Sequence, residues 1–389
     1  MLCEAVKAGG FDRLVVAEVD QGLVDAVRAA GNRAMINIAA LTGVRSMALE
    51  GVELYNPRVP GDKEKIIQAL ADAHELATAV PNVTIYAAGG DSSIAALMAA
   101  AARPDHHQVI YTAENNNFAA EALQKELAQR AGAEALAGIQ VLNTVIGKMS
   151  GVISSAEEMS RLGLAPLVPG SEKCVLVEEF NRILITRITL PGFRRRIRVF
   201  EEKDDLLPFE EAKLFGHNAV HALLGFLARL RGYQAMSEIA DDTRLLDLGR
   251  RAFRDESGAA LIKRHARLGD PLFTTTGYEA YAEDLLQRMT NPFLLDRVER
   301  IIRDPRRKLG WNDRLFGTMR VALDQGIRPS IMALGAAAAV EHARESEKIA
   351  VSPRDFLTTL WGAEATGDRR EECIRLVEEA LPRLSDWRG

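Results

Sequence analysis

Val109-Ile110-Tyr111-Thr112, then a helical stretch over 118–131, then Val141-Leu142-Asn143-Thr144-Val145: this strand–helix–strand order decides the fold class. Both short runs read as strand candidates. Working outward, Leu14-Val15-Val16-Ala17 reads as a buried strand followed by a helix over 21–30. Val83-Thr84-Ile85-Tyr86-Ala87 reads as another, followed by Gly89-Gly90 and a helix over 94–102. Strands alternating with helices imply a parallel sheet with helices on both faces.

Beyond residue 173 the character changes. Residues 175–180 and 182–186 read as strands, and the pattern from Phe209 onward is almost wholly helical. The acidic stretch over 200–207 reads as a solvated linker, and Arg194-Arg195-Arg196 as a surface strand edge. The expected organisation is an α/β domain over 1–200 and a mainly α-helical domain over 208–389, with a site in the cleft between them.

The chain has 389 residues, 47% hydrophobic and 26% charged, with net charge −5. That is an ordinary globular composition, and the absence of a basic excess argues against nucleic acid. No apolar run reaches the roughly 18 residues of a membrane span, and no secretory leader is evident. Cys3, Cys174 and Cys373 lie far apart. They fit reduced thiols in a cytoplasm and offer neither a disulfide frame nor a zinc ribbon.

The start of the chain is unusual. Met1, Leu2, Ala5 and Val6 have the spacing of a helix's apolar face, and Gly9-Gly10 would end that helix. The next strand ends at Glu18, where a dinucleotide-binding unit carries an acid for the adenosine ribose. The strand and glycine-rich turn that precede such a helix are missing. The chain reads as a Rossmann-like unit entered partway through its first helix, and an in-frame upstream strand and glycine turn are expected. An unrelated N-terminal helix fits the same residues.

Chemistry concentrates in Lys213-Leu214-Phe215-Gly216-His217-Asn218-Ala219-Val220-His221. At about 100° per residue, His217, His221 and Asn218 lie about 40°, 80° and 140° from Lys213, in one sector. A lysine buried beside imidazoles loses pKa toward neutrality, which suits a general base. A surface lysine with two core histidines bonded to backbone fits the same pattern. A zinc site on His217 and His221 lacks a carboxylate at ligand spacing.

Lys213, Asn218 and His221 match the K-x4-N-x2-H motif of the polyol-specific long-chain dehydrogenases, and the chain resembles that family. Asn291-Pro292-Phe293-Leu294, followed by Arg303-Asp304-Pro305-Arg306-Arg307-Lys308-Leu309, looks like the corresponding stretch of its mannitol-1-phosphate branch. Val15-Val16-Ala17-Glu18-Val19-Asp20 looks like that branch's second strand. The similarity runs from about residue 11 to about residue 345.

The resemblance implies an NAD-dependent oxidoreductase that interconverts a sugar alcohol, or its phosphate, with the keto sugar, without a metal. It implies Lys213 as the base, with Asn218 and His221 on substrate oxygens. Glu18, Gly89 and Asn115 would face the cofactor. His217, Arg303, Arg307 and Lys308 would face the substrate, the guanidinium groups suiting a phosphate. A carboxylate at Glu18 favours NAD over its 2′-phosphorylated form. In one departure from the family, Gly147 stands where a V-D-R element carries aspartate, while Lys148 keeps the positive charge. Together with the missing glycine turn, this leaves open a non-catalytic member that binds a sugar phosphate or a protein.

Overall fold

The computed structural model describes residues 5–7, 9–179 and 182–389. Met1, Leu2 and Phe180, which figured in the expected first helix and a later strand, lie outside the described residues. The chain forms two compact units, Met1–Leu207 and Pro208–Gly389.

Unit 1 opens with β1 (Leu14–Ala17), α1 (Gln21–Ala29), β2 (Arg33–Ala40), β3 (Gly43–Glu50) and β4 (Val52–Tyr55). It continues through α2 (Pro60–Asp72), β5 (Glu75–Thr78), α3 (Ile94–Ala101), β6 (Gln108–Thr112), α4 (Ala119–Ala135) and β7 (Ile139–Ile146). It closes with β8 (Ser150–Ile153), α5 (Ala156–Leu162), β9 (Cys174–Glu178), β10 (Ile183–Thr186) and β11 (Phe200–Lys203).

β1 pairs in parallel with β4, and β5, β6 and β7 form a parallel run. β10 joins β7 antiparallel, and β11 lies parallel to β10. A second sheet has the order β3-β2-β9-β8. All five residues of β6 are buried, as an apolar run without alternation requires. The chain winds from β1 out to β4, then α2 carries it to β5 and it winds outward again to β7. The reversal falls between β1 and β5, and Leu14 packs against the hydrophobic clusters on both sides. Among the described residues, β1 has a neighbour only in β4, and β5 only in β6.

Several expectations change. Leu14–Ala17 is a strand but half-exposed rather than buried, and among the described residues no strand pairs with its second edge. Val83–Tyr86 is a 3-10 turn, not a strand. It follows Pro81, and the Asn82 side chain caps it by accepting from the Thr84 amide at 3.1 Å. The strand at this place is β5, eight residues earlier in the chain. The 200–207 stretch is not simply a linker, so the α/β unit extends past residue 200. Phe200 is 2% exposed in the core and its charged neighbours ride on β11 at the sheet edge. Arg194, Arg195 and Arg196 lie on irregular chain, with Arg195 bonded to Glu202 at 3.2 Å.

Unit 2 is helical. It contains α6 (Leu207–Glu211), which spans the unit boundary, a π-helical segment (Ala212–His217), α7 (Asn218–Leu230) and α8 (Thr243–Arg251). A second π segment (Ala252–Gly258), α9 (Ala259–Arg264), α10 (Thr275–Met289), α11 (Val298–Ile302) and α12 (Pro305–Lys308) follow. α13 (Arg314–Asp324), α14 (Ser330–Ser346), α15 (Pro353–Trp361) and α16 (Gly367–Ala380) complete it. α7 and α14 are buried along most of their length and pack together. A Cβ at Gly335 would lie 2.6 Å from Leu223 Cδ1, so the contact depends on glycine there. No helix among the described residues is long and apolar enough to cross a membrane.

The N-terminus of α14 has no side-chain cap of its own. Glu256, 4% exposed on the second π segment, supplies one instead. Its two oxygens accept from the amides of Ile331 at 2.7 Å and Met332 at 2.9 Å. Burial pushes its carboxyl up to about 7, against the pull of those amides. Glu256→Ala leaves two buried amides without an acceptor. At about 1–3 kcal/mol each, urea unfolding should report a loss of roughly 2–6 kcal/mol; an unchanged midpoint refutes this role.

Candidate active site

The motif residues do not lie on one continuous α-helix. Lys213 sits in the π segment, which ends at His217, and Asn218 begins α7. The wider π turn changes the angle between Lys213 and the residues after it, a local irregularity that recurs at functional sites. Gly216 makes room for it: a Cβ there would lie 2.5 Å from the Tyr278 hydroxyl. The two π segments pack against each other, and the Tyr278 and Ser257 hydroxyls are 3.0 Å apart between them.

Lys213 and Asn218 keep partial access to solvent, whereas His217 and His221 are buried. Burial lowers Lys213 to about 8; Glu210 pulls it back up and Arg314 pushes it further down. Its ammonium therefore yields a proton near neutrality, as a general base requires. Burial holds His217 well below its usual value, helped by the His221 ring whenever it carries a proton and by the charges of Arg288 and Lys213. A neutral imidazole follows. The His217 and His221 rings are 6.0 Å apart, centre to centre.

Several charged residues around the motif escaped the sequence reading. Asp296 meets His221, its Oδ2 lying 2.8 Å from Nε2, although the motif had no carboxylate at helical spacing. Arg288, 5% exposed, bonds Asp284 at 3.2 Å and adds its charge to the field at His217. Arg314 bonds Asp313 at 2.7 Å and acts on Lys213, His217 and Lys308 alike. The available signal for Arg288 was its place three residues after Leu285, in line with the apolar face of α10.

The arginine block divides. Asn291 caps a 3-10 turn, accepting from the Phe293 amide at 2.9 Å. Asp304 adopts a left-handed conformation (φ 56°) and Pro305 opens α12. Arg303 and Arg307 are exposed, and Arg307 bonds Asp304 at 2.9 Å. Lys308 turns inward, donates to the Arg303 carbonyl, and is lowered to about 8 by burial and then by Arg314. Of the three expected phosphate ligands, Lys308 alone enters the buried cationic field.

In unit 1, Glu18 follows β1, its Oε1 accepting from the amides of Val19 at 2.7 Å and Asp20 at 2.9 Å. Gly89 lies between β5 and α3 with φ of 102°, where a side chain is strained. Asn115 is exposed in the turn after β6. Beside it Glu114 is buried, accepting from Thr78 at 2.9 Å and from the Tyr86 hydroxyl. Gly147 and Lys148 lie in the connection from β7 to β8.

With its parallel α/β unit and its helical unit carrying K-x4-N-x2-H, the chain is similar to the polyol-specific dehydrogenases. Residues 205–376 match the mannitol dehydrogenase C-terminal domain. The chain is 28% identical to the mannitol-1-phosphate 5-dehydrogenase of Brevibacillus brevis over 402 aligned residues, covering 99% of this chain and 95% of that one. Its fold is similar to Pseudomonas fluorescens mannitol 2-dehydrogenase solved with NAD and D-mannitol. There the TM-score is 0.68 at 16% identity, covering 94% of this chain and 83% of that one. It is likewise similar to a D-sorbitol dehydrogenase in substrate-free form, with TM-score 0.70 at 16% identity over 97% and 87% of the two chains.

Proposed function

We propose that this chain is an NAD-dependent dehydrogenase that interconverts a hexitol, in particular a hexitol phosphate, and the corresponding keto sugar, with Lys213 as general base and without a metal. The observation that carries the reading is a partly accessible lysine lowered to about 8 beside Asn218 and His221. The curated relative's activity, on mannitol 1-phosphate, supports the substrate class.

The residues fit the cofactor in part. Glu18 ends a parallel strand where an acid receives ribose hydroxyls, and Gly89 and Asn115 stand on turns that follow β5 and β6. No two glycines in the chain are two positions apart, so no G-x-G-x-x-G occurs and no residue is assigned to the pyrophosphate. When bound, NAD supplies the acceptor for the hydride leaving the substrate carbon. Neutral Lys213 Nζ removes the proton from the hydroxyl on that carbon. The Asn218 amide donates to the same oxygen as negative charge develops on it. Lys308 and Arg314 furnish positive charge for a phosphate, and Arg314 links them electrostatically to Lys213.

Nicotinamide fluorescence on titration with NADH, followed by a panel of hexitols and hexitol phosphates with NAD and its 2′-phosphate, tests this reading. We expect saturable NADH binding and a kcat/KM at least tenfold higher for a phosphorylated hexitol than for the free one. Absence of both NADH binding and turnover would overturn it in favour of a protein that only binds.

A further inference from the structure

His221 has a buried ionic partner that gives its ring a direction. Asp296 Oδ2 lies 2.8 Å from His221 Nε2, and the two side chains are 3% and 11% exposed. The other carboxylate oxygen, Oδ1, accepts from Arg300 Nε at 3.0 Å and Nη2 at 2.5 Å. Asp296 is itself fixed in the chain, because its carbonyl accepts from the Met236 amide at 2.8 Å and the next residue, Arg297, bridges to Ala235. α7 and α11 approach closely enough for this contact because Gly225, one turn after His221, has no side chain. A Cβ there would lie 2.5 Å from Ile301 Cγ2.

A carboxylate that accepts three hydrogen bonds from two cationic or polar donors has no proton to give. Burial pushes Asp296 up, but His221 and Arg300 hold it below the usual carboxylate range. The hydrogen shared with His221 therefore belongs to Nε2. In a neutral imidazole with Nε2–H, Nδ1 is a lone-pair acceptor. Such a ring receives a hydrogen bond from a hydroxyl; it does not donate one to a developing alkoxide.

We propose that Asp296 is a positioning residue that fixes His221 as the Nε2–H tautomer, so that Nδ1 accepts from a substrate hydroxyl on a carbon other than the one being oxidised. Polarisation of the reacting oxygen then falls to Lys213 and Asn218. This rests on the reading of the site as a polyol dehydrogenase and assigns His221 to recognition of the polyol chain. The charged and titratable groups around the pair are His217 on the same helical run, Arg300 on α11, and Arg288, which acts through His217.

The test uses the whole chain, labelled with ¹⁵N-histidine and without substrate, at a pH where the ring is neutral. His221 is assigned by loss of its signals in His221→Gln. We expect the Nε2–H pattern in the native protein; Nδ1–H there would overturn the proposal whatever the enzyme turns over. In Asp296→Asn the amide can donate to Nε2, and the ring should switch to Nδ1–H. The variant should then show about a 10- to 100-fold lower kcat/KM for the polyol, carried mainly by KM, with KM for NAD unchanged. A purely structural role would lower stability and raise both KM values without moving the tautomer, and that result would also overturn the proposal. If the native protein turns over no polyol, the function proposed above fails while the tautomer measurement still stands.

Discussion

Lys213→Ala is expected to lower kcat/KM for polyol oxidation by at least about 10³-fold, roughly 4 kcal/mol of transition-state stabilisation. Removing a positioned base takes away the proton transfer and leaves only binding and orientation. The native pH profile gives the same conclusion independently. Lys213 is lowered to about 8, so at pH 7 only about a tenth of it is neutral. Oxidation needs the neutral amine. Its rate should rise about tenfold per pH unit below 8 and level off above. Reduction of the keto sugar needs the ammonium and should be flat below 8 and fall above it. The variant should lose this inflection and keep its unfolding midpoint, because a buried ammonium that pays a desolvation cost is being removed. Turnover within tenfold of native, or an inflection surviving at 8, would reassign the base.

Gly216→Ala is the second large effect. The added methyl would sit 2.5 Å from the Tyr278 hydroxyl, and Tyr278 has little room to withdraw. Its ring is 1% exposed, stacks edge-on against Tyr281 at 5.5 Å, and leans on Gly258, where a Cβ would meet it at 2.5 Å. Overpacking of this kind costs about 1–3 kcal/mol. Because Gly216 lies three residues after Lys213 in the same π segment, kcat should fall as well. Tyr278→Phe alone should cost about 1 kcal/mol through the lost contact with Ser257. Added to Gly216→Ala it removes the obstructing oxygen, so the double variant should be more stable than Gly216→Ala alone. Simple additivity of the two losses in urea unfolding would show that the hydroxyl is not the obstruction.

The sequence made the site legible where chemistry depends on residue type at short spacing. Lys213, Asn218 and His221 could be read because their polar groups interrupt an apolar run. Asp296 could not, since it reaches His221 across 75 residues and its partner is chosen by the crossing of α7 and α11. The π turn was equally hidden: nothing within 212–217 announces it, and its supports, Ser257 and Tyr278, come from later elements. In unit 1 the run at 109–112 was clear because both faces of β6 are covered, whereas within 141–145 only Leu142 and Val145 of β7 are buried. Val83–Tyr86 misled because its β-branched and aromatic residues favour strands in general, while Pro81 and the Asn82 cap turned that segment into a 3-10 turn. β11 was hidden by Glu201, Glu202 and Lys203, charges that an edge strand tolerates and a central strand does not.

A π turn spends one more residue on a revolution than the α-helix around it. The place of Lys213 is therefore written in the number of residues between 212 and 217 as well as in their identities. Wind the same residues as regular α-helix, and the lysine swings by about 100° relative to Asn218 and His221. The same helix would still be built and would still fill the core, with its base aimed elsewhere. A change in winding that a folded protein could absorb without visible damage would separate the scaffold from its chemistry.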